Sequence, residues 1–479
     1  MKKTLLMAVR AASTASDLEH TTASSEHVGA LAPPLEAGLA DDPPPQRHPV
    51  RFDDARMDPD ALKVLRRLGQ ANFEAYLVGG AVRDLLLGRR AKDYDIATSA
   101  RPEDVKRVFR SNCRIIGRRF RLAHVFFSYG GKTYEVATYR RNPVGVADDA
   151  AETETGGGGG DILIRSDNVF GVAHEDATRR DFTINALFYD HDRGEILDWV
   201  GGMDDIERRV VRTIGHPEVR FREDPVRILR AIKFAARLDF GMDPDMYDAI
   251  VAHREELARS ARPRVFEEIL RLLRGGAARK SIYLAWDTGV LAVILPELST
   301  YLDDSVSDPK VAGEGDAAGG AASRVFRALA EIDRMTEERG AAPDDIVLLA
   351  TLLREPVREW TEGARSREEW RNAVDEKIAD VSERLAITRR IAEGLSRIYA
   401  AEARLRAGRT GGFMQTQLGP LARDLALIGL VADGAPPEQI DRIRNLPGVA
   451  AAAAAPAPAA RHDRSRPARH RTRDRAPRF

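Results

Sequence analysis

Two aspartates separated by one residue, Asp93 and Asp95 in AKDYDIATSA, are the residues of this chain best placed to do chemistry. On an extended strand, positions i and i+2 share a face, so both carboxylates point one way and Tyr94 and Ile96 the other. Neighbouring carboxylates repel one another unless a cation lies between them, and oxygen donors of this kind select Mg²⁺ or Mn²⁺. Upstream, Gly79-Gly80 separates a short apolar run from a helical one. Glycine there lets the backbone approach a ligand, and the free N–H groups of a helix start favour an anion. Arg83 adds a fixed positive charge nearby. A phosphate cradle beside a carboxylate pair is what two-metal phosphoryl or nucleotidyl transfer requires. A lone Asp-x-Asp also fits a solvated strand end; the glycine–helix–arginine run before it gives the pair its chemical reading.

Three further clusters carry weaker signals. Glu135, in TYEVATYR, is either the third carboxylate of a metal-binding set or an exposed strand glutamate. In RRDFTINAL (179–187), Arg180 suits a phosphate, while Asp181 and Asn185 suit ribose hydroxyls; the same residues also fit a capped helix start with surface arginines. REDPVRILRAIKFAARLDF (222–240) reads as a helix capped by Asp224 with Pro225 at its first position. Asp224, Arg227 and Arg230 then lie on one face, where an acid and two arginines offer an acceptor and donors to a base edge, or simply pair as a surface ladder.

These residues need elements to position them. AYLVGG, YDIAT, CRIIGRRF, AHVFFSYG and TYEVATYR read as strands, with Gly130-Gly131 as the turn between the last two, and AVRDLLLG as a helix closed by Gly88. The expectation is an α+β head over 51–195, with a flexible insertion at 142–161 that ends in five glycines. Helical periodicity follows from about Glu218, giving a helical neck over 196–300 and a second helical body over 301–447, with a low-complexity patch at 308–323. Residues 1–50 lack periodicity and read as a disordered arm, and 448–479 as a disordered tail. Between Arg461 and Phe479 the tail holds eight arginines against two aspartates, a formal +6, including Arg466, Arg469 and Arg471. Over the whole chain Lys plus Arg equals Asp plus Glu at 74 each, so any polyanion must be met by local charge. A single cysteine, Cys113, excludes an internal disulfide and speaks against a cysteine-built zinc site. No apolar run is long enough to span a membrane, and a cytoplasmic protein is expected.

Taken in order, LVGGAVRDLLLG, KDYDIAT, TYEVATYR, RRDFTINAL and REDPVRILRAIKFAARL resemble the class II branch of the nucleotidyltransferase superfamily, over about residues 58–300. That branch holds bacterial poly(A) polymerases and tRNA CCA-adding enzymes. The resemblance implies a small head sheet followed by all-helical neck, body and tail regions. It implies that Asp93, Asp95 and Glu135 hold Mg²⁺ or Mn²⁺, and that Gly79, Gly80, Arg83 and Arg180 lie near the triphosphate of ATP. It places Asp181 and Asn185 near the ribose, with Asp181 counted among the catalytic acids, and makes Asp224, Arg227 and Arg230 the base-selecting row. IIGRRFRLAHVFF, with Arg118, Arg119 and Arg121 flanking the site, looks like the poly(A) polymerase form of this strand pair. The helical stretch 379–408 and the arginine-rich end are also similar to that group's RNA-binding parts. The expected partners are therefore ATP and RNA 3′ ends, with protein partners unknown. The expected reaction is adenylate addition, as in RNA processing and decay. A CCA- or A-adding tRNA nucleotidyltransferase is the nearest alternative; a non-catalytic RNA-binding protein and a small-molecule nucleotidyltransferase stand further off.

Overall fold

The computed structural model describes residues 43–117, 121–127, 131–141, 169–307, 321–409 and 412–446. Its head is one eight-stranded sheet. In chain order the strands are β1 (Gln46–Pro49), β2 (Ala75–Val78), β3 (Asp95–Thr98), β4 (Cys113–Ile116), β5 (Leu122–Phe126), β6 (Thr133–Thr138), β7 (Phe188–Asp190) and β8 (Glu195–Asp198). They lie side by side as β1-β8-β7-β2-β3-β6-β5-β4. Every neighbouring pair is antiparallel except β3 with β6, which run parallel because the helix Pro102–Phe109 intervenes between them in sequence.

The alternation of side chains sorts the sheet into two faces. Leu77, Ile96, Ala123, Val125 and Val136 turn to one side and pack under the helices Pro59–Gln70 and Pro102–Phe109. Pro59–Gln70 starts where its residues dictate: Asp58 accepts from the Asp60 and Ala61 N–H groups, and Pro59 occupies the first turn. Val78, Ala97, Tyr139, Phe188 and Leu197 build a smaller cluster on the other side. Asp95 and Glu135 fall on that second side by the same period of two.

The arm and the sheet differ from expectation at their ends. Residues 46–49 are an ordered strand rather than part of a disordered arm, since β8 offers them an unpaired edge; Pro49 is tolerated because β1 is an edge strand. The sheet does not finish at TYEVATYR: β6 is internal, and β7 and β8 continue it to Asp198. The rest of the arm, the 142–161 insertion, most of the 308–323 patch and the 448–479 tail lie outside the described residues.

Beyond the head the regular structure of the described residues is helical, apart from a two-residue parallel pair, β9 (Val210–Val211) with β10 (Gly241–Met242). One continuous hydrophobic core runs from Val226, Leu229 and Ile232 in the helix Val226–Leu238 out to Ile443. Phe182 and Ile184, from the turn before β7, are fully buried in this same core. That turn therefore joins head and neck through packed side chains. Among the described residues, no helix is long and apolar enough to cross a membrane.

Candidate active site

A cleft of about 1040 Å³ opens where the head meets the neck helices. It is lined by Gly79, Gly80, Arg83, Asp93, Asp95, Arg180, Asp181, Asn185, Asp224, Arg227 and Arg230 among others. Eleven of the residues singled out by sequence thus share one cavity, although they span about 150 positions of chain.

Val78 pairs with Asp95, and Ile96 pairs with Val136, so Asp95 sits at the open end of β3 beside both the glycine turn and Glu135. Gly79 has φ +72°, and a Cβ there would lie 3.4 Å from Arg180 Nη1 and 3.9 Å from Asp95 Oδ2. Those are ordinary van der Waals distances, so it is the left-handed backbone that calls for glycine. The helix that follows begins at Gly80, one residue earlier than expected, and is two turns long.

Among the described residues neither the Asp93 nor the Asp95 side chain accepts a hydrogen bond or forms an ion pair. Asp95 opens onto the cleft's solvent, but the cleft walls crowd it. Burial, then the charges of Glu135 and Asp93, push its carboxyl above the usual range, with Arg180 alone opposing. The acids here are short of compensating positive charge, which is the condition a divalent cation relieves. Asp93 and Asp95 fit such an ion as oxygen ligands. Glu135 stands slightly apart: it is the cross-strand partner of His124, at 3.6 Å, and does not line the cleft. Among the described residues no three His, Cys, Asp or Glu side chains converge as a metal-holding group. The geometry supplies a carboxylate pair with a third acid nearby, in place of a closed triad.

Arg180 supplies the positive charge that acts on Asp95. Asp176, buried to 5% exposure, accepts from Arg180 Nη2 at 2.9 Å, and the guanidinium lies 5.1 Å from the Phe188 ring centroid. Arg220 braces the same turn from the neck, donating to the carbonyls of Arg179 and Arg180 at 2.8 and 2.6 Å. Burial pulls Arg220 down to about 10. Sequence reading missed Asp176 and Arg220, since both look like ordinary surface charges until the fold buries them.

Arg83 lines the cleft from a buried position. It is 3% exposed and committed: Nε and Nη2 donate to Asp84 at 3.0 and 2.7 Å, and Nη1 donates to Asn185 at 2.5 Å. It thereby fixes Asn185, and both residues line the cleft. Asp181 is similarly engaged. Oδ2 takes two donors from Arg230, with Nε at 2.8 Å, and Oδ1 accepts from Phe182 N–H and Asn185 Nδ2. Burial alone would raise the Asp181 carboxyl, but Arg230 and these donors bring it below the usual range. Arg230 is raised in turn, chiefly by the charge of Asp181.

Asp224 does not cap the neck helix as the sequence suggested. The helix starts at Val226 after Pro225, and the Asp224 side chain caps nothing because Arg264 takes it, donating to Oδ2 at 3.0 Å. Oδ1 is buried and has no partner among the described residues. Arg227 is anchored through Nη1 alone, to Glu223 at 2.9 Å and the Arg220 carbonyl at 3.1 Å, which leaves its other nitrogens unbonded among the described residues. Glu223, 7% exposed and shared by Arg220 and Arg227, also escaped the sequence reading. Arg121 is exposed and pairs with Glu103 away from the cleft. Arg118, Arg119, Arg466, Arg469 and Arg471 lie outside the described residues.

The comparisons with known proteins agree with this geometry. Residues 75–212 match the family described as "Poly A polymerase head domain", and residues 239–302 match "Probable RNA and SrmB-binding site of polymerase A". The poly(A) polymerase I of Escherichia coli O6:H1 is 43% identical over 266 residues, covering 56% of each chain. The CCA-adding enzyme of Geobacillus stearothermophilus is 39% identical over 235 residues, covering 49% of this chain and 54% of its own. The chain thus spans about half the length of the curated relatives it matches. Among solved structures, the Bacillus stearothermophilus CCA-adding enzyme in complex with CTP is 28% identical with a TM-score of 0.56, covering 81% of this chain and 82% of that one. Residues 75–212 and 239–302 thus resemble the head and the RNA-binding segment of bacterial poly(A) polymerases, and the chain is similar in sequence and fold to CCA-adding enzymes as well.

Proposed function

We propose that the chain is a template-independent nucleotidyltransferase that transfers AMP from ATP to RNA 3′ ends, a poly(A) polymerase, with pyrophosphate as the leaving group. One observation carries the reading: a carboxylate pair without side-chain partners among the described residues shares a cleft with Arg180, with Asp224 Oδ1 and with the guanidinium nitrogens of Arg227 other than Nη1, which have no partner there either. Asp93 and Asp95 would hold Mg²⁺ or Mn²⁺, which when bound neutralises phosphate charge and lowers the pKa of a hydroxyl beside it. Arg180, fixed by Asp176, orients the triphosphate at Gly79-Gly80. The RNA 3′-hydroxyl oxygen then forms its bond to the α-phosphorus as the bond to pyrophosphate breaks. The protein's share is position and fixed charge.

Base choice follows from hydrogen-bond sign. Adenine presents an amino donor beside a ring-nitrogen acceptor. Asp224 Oδ1 suits the first and the open nitrogens of Arg227 the second. Guanine and uracil present the reverse order and would leave buried polar groups unpaired, which is a strong form of rejection. Cytosine presents the same order as adenine. This favours one second reading, a CCA- or A-adding tRNA nucleotidyltransferase, in keeping with the solved relative that holds CTP. The greater identity to poly(A) polymerase I, 43% against 39%, supports adenylate addition. The test is incorporation by the purified chain on a generic RNA primer with Mg²⁺ and each NTP separately. Extension from ATP alone is expected; stoichiometric CTP addition on tRNA lacking its 3′ end would transfer the chain to the second reading.

A further inference from the structure

The two body helices Arg367–Leu385 and Arg389–Arg406 pack on one another, joined by a tight turn at Ala386, φ +54°. Between them lies a groove of about 580 Å³. It falls outside both matched family segments. Its floor is apolar, with Trp370 half-buried on the helical core yet lining the groove. Arg367 and Arg371, one helical turn apart, line it from one helix and Arg397 from the other. All three arginines are exposed, and among the described residues none has an ion pair or a hydrogen bond. Two carboxylates also line it. Glu393 is already paired with Arg389 at 2.7 Å, which leaves Asp375 as the one uncommitted acid. Ser382 adds a hydroxyl whose oxygen is buried without a partner among the described residues.

An indole, three open guanidinium groups and an unsatisfied hydroxyl form a chemical set. Bases stack on aromatic faces whatever their identity, while arginines track phosphates and the 2′-hydroxyl seeks a polar partner. The helix Arg262–Arg274 connects this groove to the cleft: it lines the cleft through Arg264, Arg271 and Arg274 and packs against Arg367–Leu385. At their junction Arg262 donates to the Glu383 carbonyl at 3.3 Å. We infer that the Trp370 groove is a second binding site for single-stranded RNA, which grips the primer upstream of the 3′ end by stacking one base on Trp370. The inference rests on the RNA-tailing reading for its substrate class. An acidic protein segment would meet the same arginines but would leave the ring face and the hydroxyl unused.

The test uses the full chain with 5′-labelled oligoadenylates of about 6 and 20 nucleotides. Trp370→Leu should weaken binding of the longer RNA about tenfold, as expected for loss of one stacked base, and Trp370→Phe should restore most of it. Because Trp370 also touches the core, a triple Ala variant of Arg367, Arg371 and Arg397 serves as the second probe. Its slope of log affinity against log salt should be shallower by about 2, at roughly 0.7 for each phosphate no longer neutralised by an arginine. Saturating turnover on the short primer should stay unchanged in both. Wild-type affinity and slope in both variants would overturn the groove, and a longer-RNA affinity equal to that of the short one would do the same. If wild-type protein fails to tail RNA yet its tryptophan fluorescence is quenched by RNA only when Trp370 is present, the tailing reading falls and the groove stands.

Discussion

Replacing Asp181 by Asn separates the two roles this carboxylate has been given. Asp181 is held at one oxygen by Arg230 and at the other by Phe182 N–H and Asn185, and its side chain is 12% exposed. Removing one partner of a buried ion pair costs about 3–5 kcal/mol, mostly because the other charge is stranded. Here the Arg230 side chain is 32% exposed, so water recovers part of its solvation, and about 2–3 kcal/mol is the expected loss. At roughly 2–4 °C per kcal/mol, thermal unfolding should fall by about 4–12 °C. The pH dependence has a definite sign. The folded carboxyl lies below its unfolded value, so its stabilisation is complete above about pH 4 and is lost as pH falls through the lower, folded value. The gap between wild type and Asp181→Asn should thus be constant from about pH 6 to 8, some two units above the ordinary aspartate value of about 3.9, and close below pH 4. Unfolding of Asp181→Asn, Arg230→Gln and the double variant measures the coupling. Additive single effects, or a gap that widens on acidification, would refute the assignment of Asp181 as the clasp between head turn and neck helix.

Other expectations follow from the same site. Asp93→Ala or Asp95→Ala should lower tailing by orders of magnitude at unchanged fold, and near-wild-type activity in either would remove the carboxylate pair from the mechanism. Asp95→Asn should also leave unfolding temperature in metal-free buffer equal or slightly higher, because it relieves burial and repulsion from Glu135; a clear drop would contradict that electrostatic account. Arg227→Ala should relax the choice among nucleotides while RNA affinity holds, which competition between ATP and GTP would show, since Glu223 keeps Arg220 as a partner. Deleting 448–479 should flatten the salt dependence of RNA binding without changing ATP preference; an unchanged slope would make the +6 segment a passenger.

The cleft was legible in sequence wherever local spacing decides geometry. Asp93 and Asp95 share a face because strands repeat every two residues, and the backbone angle at Gly79 calls for glycine. What spacing does not encode is burial. Arg83 and Arg180 look alike as arginines near a glycine turn, yet one is buried against Asp84 and Asn185 while the other is held by Asp176 with its charge acting on Asp95. Asp176, Arg220 and Glu223 sit in charged runs that would be solvated on a free helix; the packing of the neck against the head turn makes them supports. The Asp181–Arg230 pair joins residues 49 apart, beyond the reach of any helical or strand period. Strand β1 was hidden for the same reason, since its partner is supplied from the far end of the head.

That last pairing governs the order in which the head can assemble. Arg47 and Glu195 are 148 positions apart, and among the described residues β8 is the only strand that pairs with β1. During synthesis from the N-terminus, residues 46–49 leave the ribosome long before the edge that receives them exists. The remaining strands can close around β2 and β3 once Asp190 has emerged, but the outer flank of β8 stays unpaired until the early segment returns to it. Closing so long a loop late costs entropy and slows the final step. During that interval the sheet exposes a row of backbone donors and acceptors open to a second copy of itself, so β1 acts as a seal, and its timely arrival sets how much newly made head escapes association.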